Sequence, residues 1–229
     1  SDYEIIRLML ETLAISGLQN VHLDLGHVGI FRSLTQQAGL DKEQEAELFD
    51  VLQRKAVAEL HELLDSFDIA TDSKQSLQAL AKLNGDRNIL KRAQSILGNS
   101  APDLQQALTD LQTLADKLQR DFPELPVSFD LAELRGYHYH TGIVFAAFIP
   151  SIGREIARGG RYDNIGQIFG RARAATGFSA DLRVLVNLYR RTISESTKTI
   201  VFAPTAEDRD LAICIRDLRA QGITVIEHL

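Results

Sequence analysis

The feature that most constrains this chain is a change of hydrophobic period near residue 125. Across residues 41–124 glycine is sparse and apolar residues recur at helical spacing, whereas from Val127 onward they alternate. The first pattern predicts helices over 41–66, 73–83, 87–97 and 102–121. The breaks come from Asn84-Gly85, Gly98-Asn99 and the Pro123/Pro126 pair. Leu104, Leu108, Leu111, Leu114 and Leu118 form one stripe on the last of these helices. Such a stripe reads first as core, and second as a face for a partner.

Before the helical stretch, Ile5, Ile6, Met9, Leu10 and Leu13 mark one face of a helix over 2–16, with Gly17 placed to end it. VHLDLGH at 21–27 sets Val21, Leu23 and Leu25 against polar neighbours, as a half-buried strand does. A short helix over 30–38 closes at Gly39. After the helical stretch, strands are predicted at VSFDLAEL from Val127, HYHTGIVFAAF over 138–148, 154–158 and 174–182. Gly159-Gly160 reads as a turn, and helices are predicted over 163–169 and 183–190. Residues 194–198 are polar and read as a linker. TIVFAP, a helix over 206–221 and ITVIEHL then make a β-α-β unit without the glycine-rich turn of a dinucleotide site. The division is a core of 1–40 with 125–193, a helical subdomain of 41–124, and an α/β appendage of 194–229. The fold class is α+β, a mostly antiparallel sheet with flanking helices.

Composition excludes several classes of function. The single cysteine, Cys214, rules out a disulfide framework and any multi-cysteine metal site. A net charge of −6 argues against a general nucleic-acid surface. Without a long apolar run or a signal peptide, the sequence reads as a cytoplasmic protein off the membrane. The chain opens on Ser1, carries only Met9, and enters a helical pattern almost at once. A piece of a longer protein looks like this, and so does a processed or tagged start.

Two segments carry chemistry. In LRGYHYHTG, 134–142, His138 and His140 lie two apart and on a strand would share a face, opposite Tyr137, Tyr139 and Thr141. Two histidines supply half of a metal site, and spacing identifies no third ligand. Hydrogen-bonded strand histidines are the simpler reading, and no metal or cofactor is expected. From Gly153 to Arg173, five arginines (154, 158, 161, 171 and 173) face Glu155 and Asp163. Arginine's planar fork suits carboxylates and phosphates, so the segment reads as a small anion site or as a salt-bridged surface edge. Neither a nucleophile elbow nor a P-loop is present.

LRGYHYHTGIVF, followed by GGRYD and GFSADL, resembles the catalytic core of the histidyl-tRNA synthetases. The resemblance is closer to their paralogue family, the regulatory subunits of ATP phosphoribosyltransferase. It is specific over 134–145 and 158–163, looser over 175–188, and weak in the helical region. It implies a class II synthetase-like fold. It also implies that Arg135 keeps the position of the arginine that meets the substrate's carboxylate and phosphate, and that Tyr162 survives from GGRYD. The departures are chemical. His138 stands where the synthetases carry an aspartate, and His140 where they carry a tyrosine facing the histidine substrate. Asp181-Leu182-Arg183-Val184 replaces a G-L-E-R run, so the phosphate-clamping arginine becomes Val184 in direct register. Arg183 lies one residue earlier, a rotation of about 100° on a helix.

The resemblance therefore implies a non-catalytic regulatory subunit. Its partner would be the short-form ATP phosphoribosyltransferase catalytic subunit, in a hetero-oligomer built on a homodimer. It would support catalysis and feedback by histidine in histidine biosynthesis, without nucleic acid or membrane. Candidate residues for histidine or anion binding are Arg135, Tyr139, His140, Arg161 and Tyr162, with the subunit interface as the other place for histidine. Tyr139 and Tyr162 alternatively pack with satisfied hydroxyls, and Arg161 alternatively pairs with an acid such as Asp163. Two other readings stay open: part of an active histidyl-tRNA synthetase, and a stand-alone histidine-binding module.

Overall fold

A computed structural model describes residues 2–18, 20–97, 101–150, 152–188, 200–205 and 208–228. The chain divides into two units, residues 1–189 and 190–229. In the first, α1 (Asp2–Ile15) leads into β1 (His22–His27) and α2 (Val28–Ala38). Then come α3 (Lys42–Gln53), α4 (Val57–Ser66), α5 (Thr71–Leu80), a two-residue strand β2 (Asn84–Gly85), α6 (Asn88–Leu97) and α7 (Pro102–Asp121). The chain returns to the sheet as β3 (Val127–Asp130), β4 (Ile143–Phe148), β5 (Glu155–Arg161) and β6 (Thr176–Ala180), and this unit ends in α8 (Leu182–Leu188).

These strands form one sheet in the order β2-β3-β1-β4-β5-β6. β1 runs parallel to β3, and every other pairing is antiparallel. The mostly antiparallel α+β class expected from the sequence is therefore what forms. Alternation on β1 buries Leu23 and Leu25 completely and leaves Asp24 half-buried on the opposite face. All five leucines of the α7 stripe are buried, so the stripe is core, each side chain contributing roughly 1.5–3 kcal/mol by leaving water. They share one apolar cluster with Phe31 of α2 and Phe129 of β3.

Three expectations are corrected. The helix expected over 41–66 is two helices. Asp41 caps α3 with a reciprocal capping box to Gln44, but the helix ends where Lys55 turns to φ +53° and Ala56 N–H donates back to Val51 C=O. A left-handed lysine costs about 1 kcal/mol; here its ammonium reaches buried Asp130 Oδ2 at 2.5 Å. Residues 138–142 are loop, not strand, because Gly136 at φ +71° reverses the chain and pairing starts only at Ile143. Gly159-Gly160 is no turn; both residues lie inside β5.

The second unit consists of β7 (Ile200–Pro204), α9 (Arg209–Ala220) and β8 (Thr224–His228). Its two strands are parallel and Ala203, Ile215 and Val225 are buried together, as the β-α-β pattern predicts. Asp208 caps α9 through the N–H groups of Asp210 and Leu211. The expected breaks at Gly98-Asn99 and the linker over 194–198 lie outside the described residues. No described helix is long and apolar enough to cross a membrane.

Candidate functional site: a cleft on the open face of the sheet

Strand register decides which residues line the site. Ser128, Asp24, Ala146, Arg158 and Ser179 are direct partners on five successive strands, so their side chains share one face. Two residues along, Gly26, Val144, Gly160 and Gly177 form the next row on that face. Three of these four are glycine, and the reason is space. A Cβ on Gly26 would lie 2.8 Å from Glu133 Cβ, one on Gly160 2.7 Å from the His140 ring, and one on Gly177 2.6 Å from Tyr162 Oη. The bare row lets the 131–142 loop and Tyr162 lie directly on the sheet. Between them is a cleft of about 430 Å³.

The loop brings three sequence-predicted residues to this cleft, and Tyr162 joins them from the end of β5. The Tyr139 and Tyr162 rings stack with centroids 5.2 Å apart. Beside them His140 Nδ1 lies 3.3 Å from the Arg161 carbonyl. Burial holds His140 below the ordinary imidazole pKa and keeps it uncharged near neutrality.

Arg135 is held from two sides. Its Nε and Nη2 donate to Glu133 Oε2 at 2.9 and 2.6 Å, and Nη1 donates to Glu155 Oε2. Burial pushes the Glu133 carboxyl up, but hydrogen bonds from the Arg135 side chain and backbone carry it below its usual range. Arg158 Nη1 donates to the other Glu155 oxygen at 2.8 Å. Asp24 accepts from Ser128 Oγ, and burial raises its pKa.

The fifth candidate, Arg161, is not among the residues lining this cleft. Its Nε and Nη2 donate to Asp2 Oδ2 at 3.1 and 2.8 Å, and Nη1 to Asp163 Oδ1 at 3.0 Å, tying α1 to the end of β5. His138 packs against the rings of Phe49 and Tyr137 and is not among the residues lining the cleft. No group of three or more metal-ligating side chains occurs among the described residues. Val184 is buried in the core on α8, and Arg183 is exposed, with its N–H capped by Asp181. Sequence reasoning missed Asp24 and Glu133 as cleft residues, and it named Glu155 and Arg158 only within the arginine-rich segment read as an anion site or a surface edge. For Asp24 the signal was present, since the polar side of VHLDLGH is the face that opens on the cleft.

The family model described as histidyl-tRNA synthetase matches residues 1–185. This chain belongs to that family. Within it, the chain is 53% identical to the ATP phosphoribosyltransferase regulatory subunit of Methylococcus capsulatus, over 100% of its own length and 57% of that protein's. A crystal structure described as an ATP phosphoribosyltransferase regulatory subunit/histidyl-tRNA synthetase from Bacillus halodurans is similar at 26% identity and TM-score 0.84. That match covers 99% of this chain and 58% of the other. The ATP phosphoribosyl transferase (HisG:HisZ) complex from Thermotoga maritima contains a chain of similar fold, at 21% identity and TM-score 0.61, over 78% of this chain and 59% of that one. The chain thus spans rather more than half the length of the relatives it matches.

Proposed function

We propose that this chain is part of a non-catalytic regulatory subunit of ATP phosphoribosyltransferase in histidine biosynthesis. The observation that carries the reading is the fate of the third class II motif, where Val184 packs into the core at the register of a phosphate-clamping arginine. Activation of an amino acid by ATP depends on positive charge placed around the transferring phosphate, and this chain offers none from that position. The names of relatives about half identical support the same reading.

In this reading the cleft is the histidine site. The stacked Tyr139 and Tyr162 offer flat faces to an imidazole, His140 offers a neutral ring edge, and Arg135 and Arg158 offer partners for a carboxylate. Residues 41–124 brace the loop above the cleft, as Tyr137 Oη does in donating to Glu45 of α3 at 2.6 Å. The partner is the short-form catalytic subunit, in a hetero-oligomer that contains a homodimer. Feedback then requires two states of the complex with different affinity for histidine.

The test mixes the full-length protein with a short-form catalytic subunit. It measures complex formation, phosphoribosyl transfer and inhibition by histidine, alongside ATP–pyrophosphate exchange by the protein alone. Activation on mixing with no exchange is the expected result. Robust exchange without activation overturns the reading in favour of a synthetase.

A further inference from the structure

Arg135 and Arg158 reach the cleft from different elements, one from the loop and one from β5, and a single side chain holds both. Glu155 Oε2 accepts from Arg135 Nη1, and its Oε1 accepts from Arg158 Nη1 at 2.8 Å. Glu133 takes the Nε and Nη2 edge of Arg135. All three nitrogens of Arg135 are thus already bound to carboxylates, and Arg158 is bound through one of its own. Asp24 adds a third acid to the same cavity, so its described lining carries three acids against two arginines, with His140 uncharged.

We propose that Glu155 is a specificity-determining residue that shuts phosphate and pyrophosphate groups out of the cleft by occupying both arginines at once. Charge and geometry both support this. A doubly charged group approaching Arg135 or Arg158 meets the Glu155 carboxylate at hydrogen-bonding distance from each, and like charges brought together in a partly dry site repel strongly. Binding therefore requires Glu155 to give up at least one of its two arginine hydrogen bonds, at a carboxylate that is only 22% exposed. A zwitterion brings a single negative charge together with an ammonium that can face Asp24, so it meets less repulsion than a doubly charged group does. The proposal deepens the regulatory reading and rests on it. A site derived from phosphate chemistry is closed to phosphate by a residue supplied in place, and not only by the missing clamp at position 184.

Calorimetry on the full-length protein with inorganic pyrophosphate tests it. Wild type is expected to show no saturable binding up to about 10 mM, and Glu155→Gln to bind at least ten-fold more tightly than that limit. Glu155→Thr, a side chain suited to a strand, should behave alike and serves if the glutamine variant does not fold. Two controls guard the interpretation. Glu62→Gln, at an exposed position on α4, should gain nothing, and Arg135→Gln placed on Glu155→Gln should remove the gain. Equal pyrophosphate binding by wild type and both Glu155 variants overturns the proposal. So does an equal gain from Glu62→Gln, which would be mere net charge. Activation of the catalytic subunit is read in parallel. If the Glu155 variants gain pyrophosphate binding while wild type fails to activate, the lock stands and the regulatory role falls.

Discussion

Ser128 Oγ donates a 2.9 Å hydrogen bond to Asp24 Oδ1 across the parallel pair of β3 and β1. On its other side the same oxygen lies 3.0 Å from His22 Nε2. His22 and Asp24 sit two apart on β1, so the three side chains form one short chain that ends in the cleft.

Ser128→Ala should lower stability by roughly 1–2 kcal/mol, the usual loss when a part-buried carboxylate forfeits a donor. Asp24→Asn should do the opposite at neutral pH. Burial raises the Asp24 pKa above 3.8, so the folded state holds that proton more tightly than the unfolded chain does. Ionisation then penalises folding. The penalty is complete above the folded pKa and vanishes below the unfolded one. Urea melts of wild type and variant at pH 7 and at pH 4 should show the variant's advantage shrinking on acidification; a pH-independent gap would contradict the account.

His27 should make the protein acid-sensitive. It caps α2 by accepting from Gly29 N–H through Nδ1, and burial lowers its pKa from 6.5 to about 4. A proton on Nδ1 removes the acceptor. The stabilisation is present above pH 6.5 and is lost as pH falls through 4, on the order of 3 kcal/mol over the whole window. His27→Asn keeps a capping oxygen without titrating there. The slope of stability against pH between 6.5 and 4 should flatten by about one proton, and an unchanged slope would assign the acid response to other groups.

Gly159→Ala should be among the most damaging small substitutions. Its Cβ would lie 2.2 Å from the Gly177 carbonyl and 2.5 Å from the Phe145 ring. Backbone on the neighbouring strand cannot swing aside as a side chain can, so the cost should be about 3 kcal/mol or more. A thermal melt within a degree of wild type would mean that β5 and β6 do not pair as described.

Arg161→Ala separates a structural arginine from a ligand-binding one. Loss of its bonds to Asp2 and Asp163 should cost about 1–3 kcal/mol. Histidine affinity, measured by calorimetry on the full-length protein, should stay within about two-fold. A ten-fold loss of affinity in a folded variant would return Arg161 to the binding site.

The elements that sequence made legible were those with a regular period and a local stop. α7 with its leucine stripe, α2 closed by Gly39 at φ +71°, and β1 with its alternation were read within a residue or two. Legibility failed where a long-range partner decided the backbone. Nothing local marks Lys55 as a helix terminus; its left-handed turn is accompanied by a contact with Asp130, 75 residues away. The β-branched and aromatic run at 138–142 suggested strand, but Gly136 folds it back so that His140 lies on Gly160 of β5. The site was half legible for the same reason. Tyr139, His140, Arg135 and Tyr162 sit in motifs that resemble a family, whereas Asp24, Glu133 and Glu155 enter only through register and contacts between distant segments.

The order of strands in the sheet also constrains how the protein assembles. Asp24 and Ser128 are neighbours in space but 104 residues apart in the chain, with α2 to α7 between them. Helices mature through contacts a few residues apart, whereas the β1–β3 seam must close a loop of that whole length before it returns any stabilisation. The cleft floor lies across the next seam, β1–β4, where Asp24 meets Ala146 from still farther along the chain, so binding competence is a late product of folding. A nascent or partly unfolded chain can be richly helical and still have nowhere to hold a ligand.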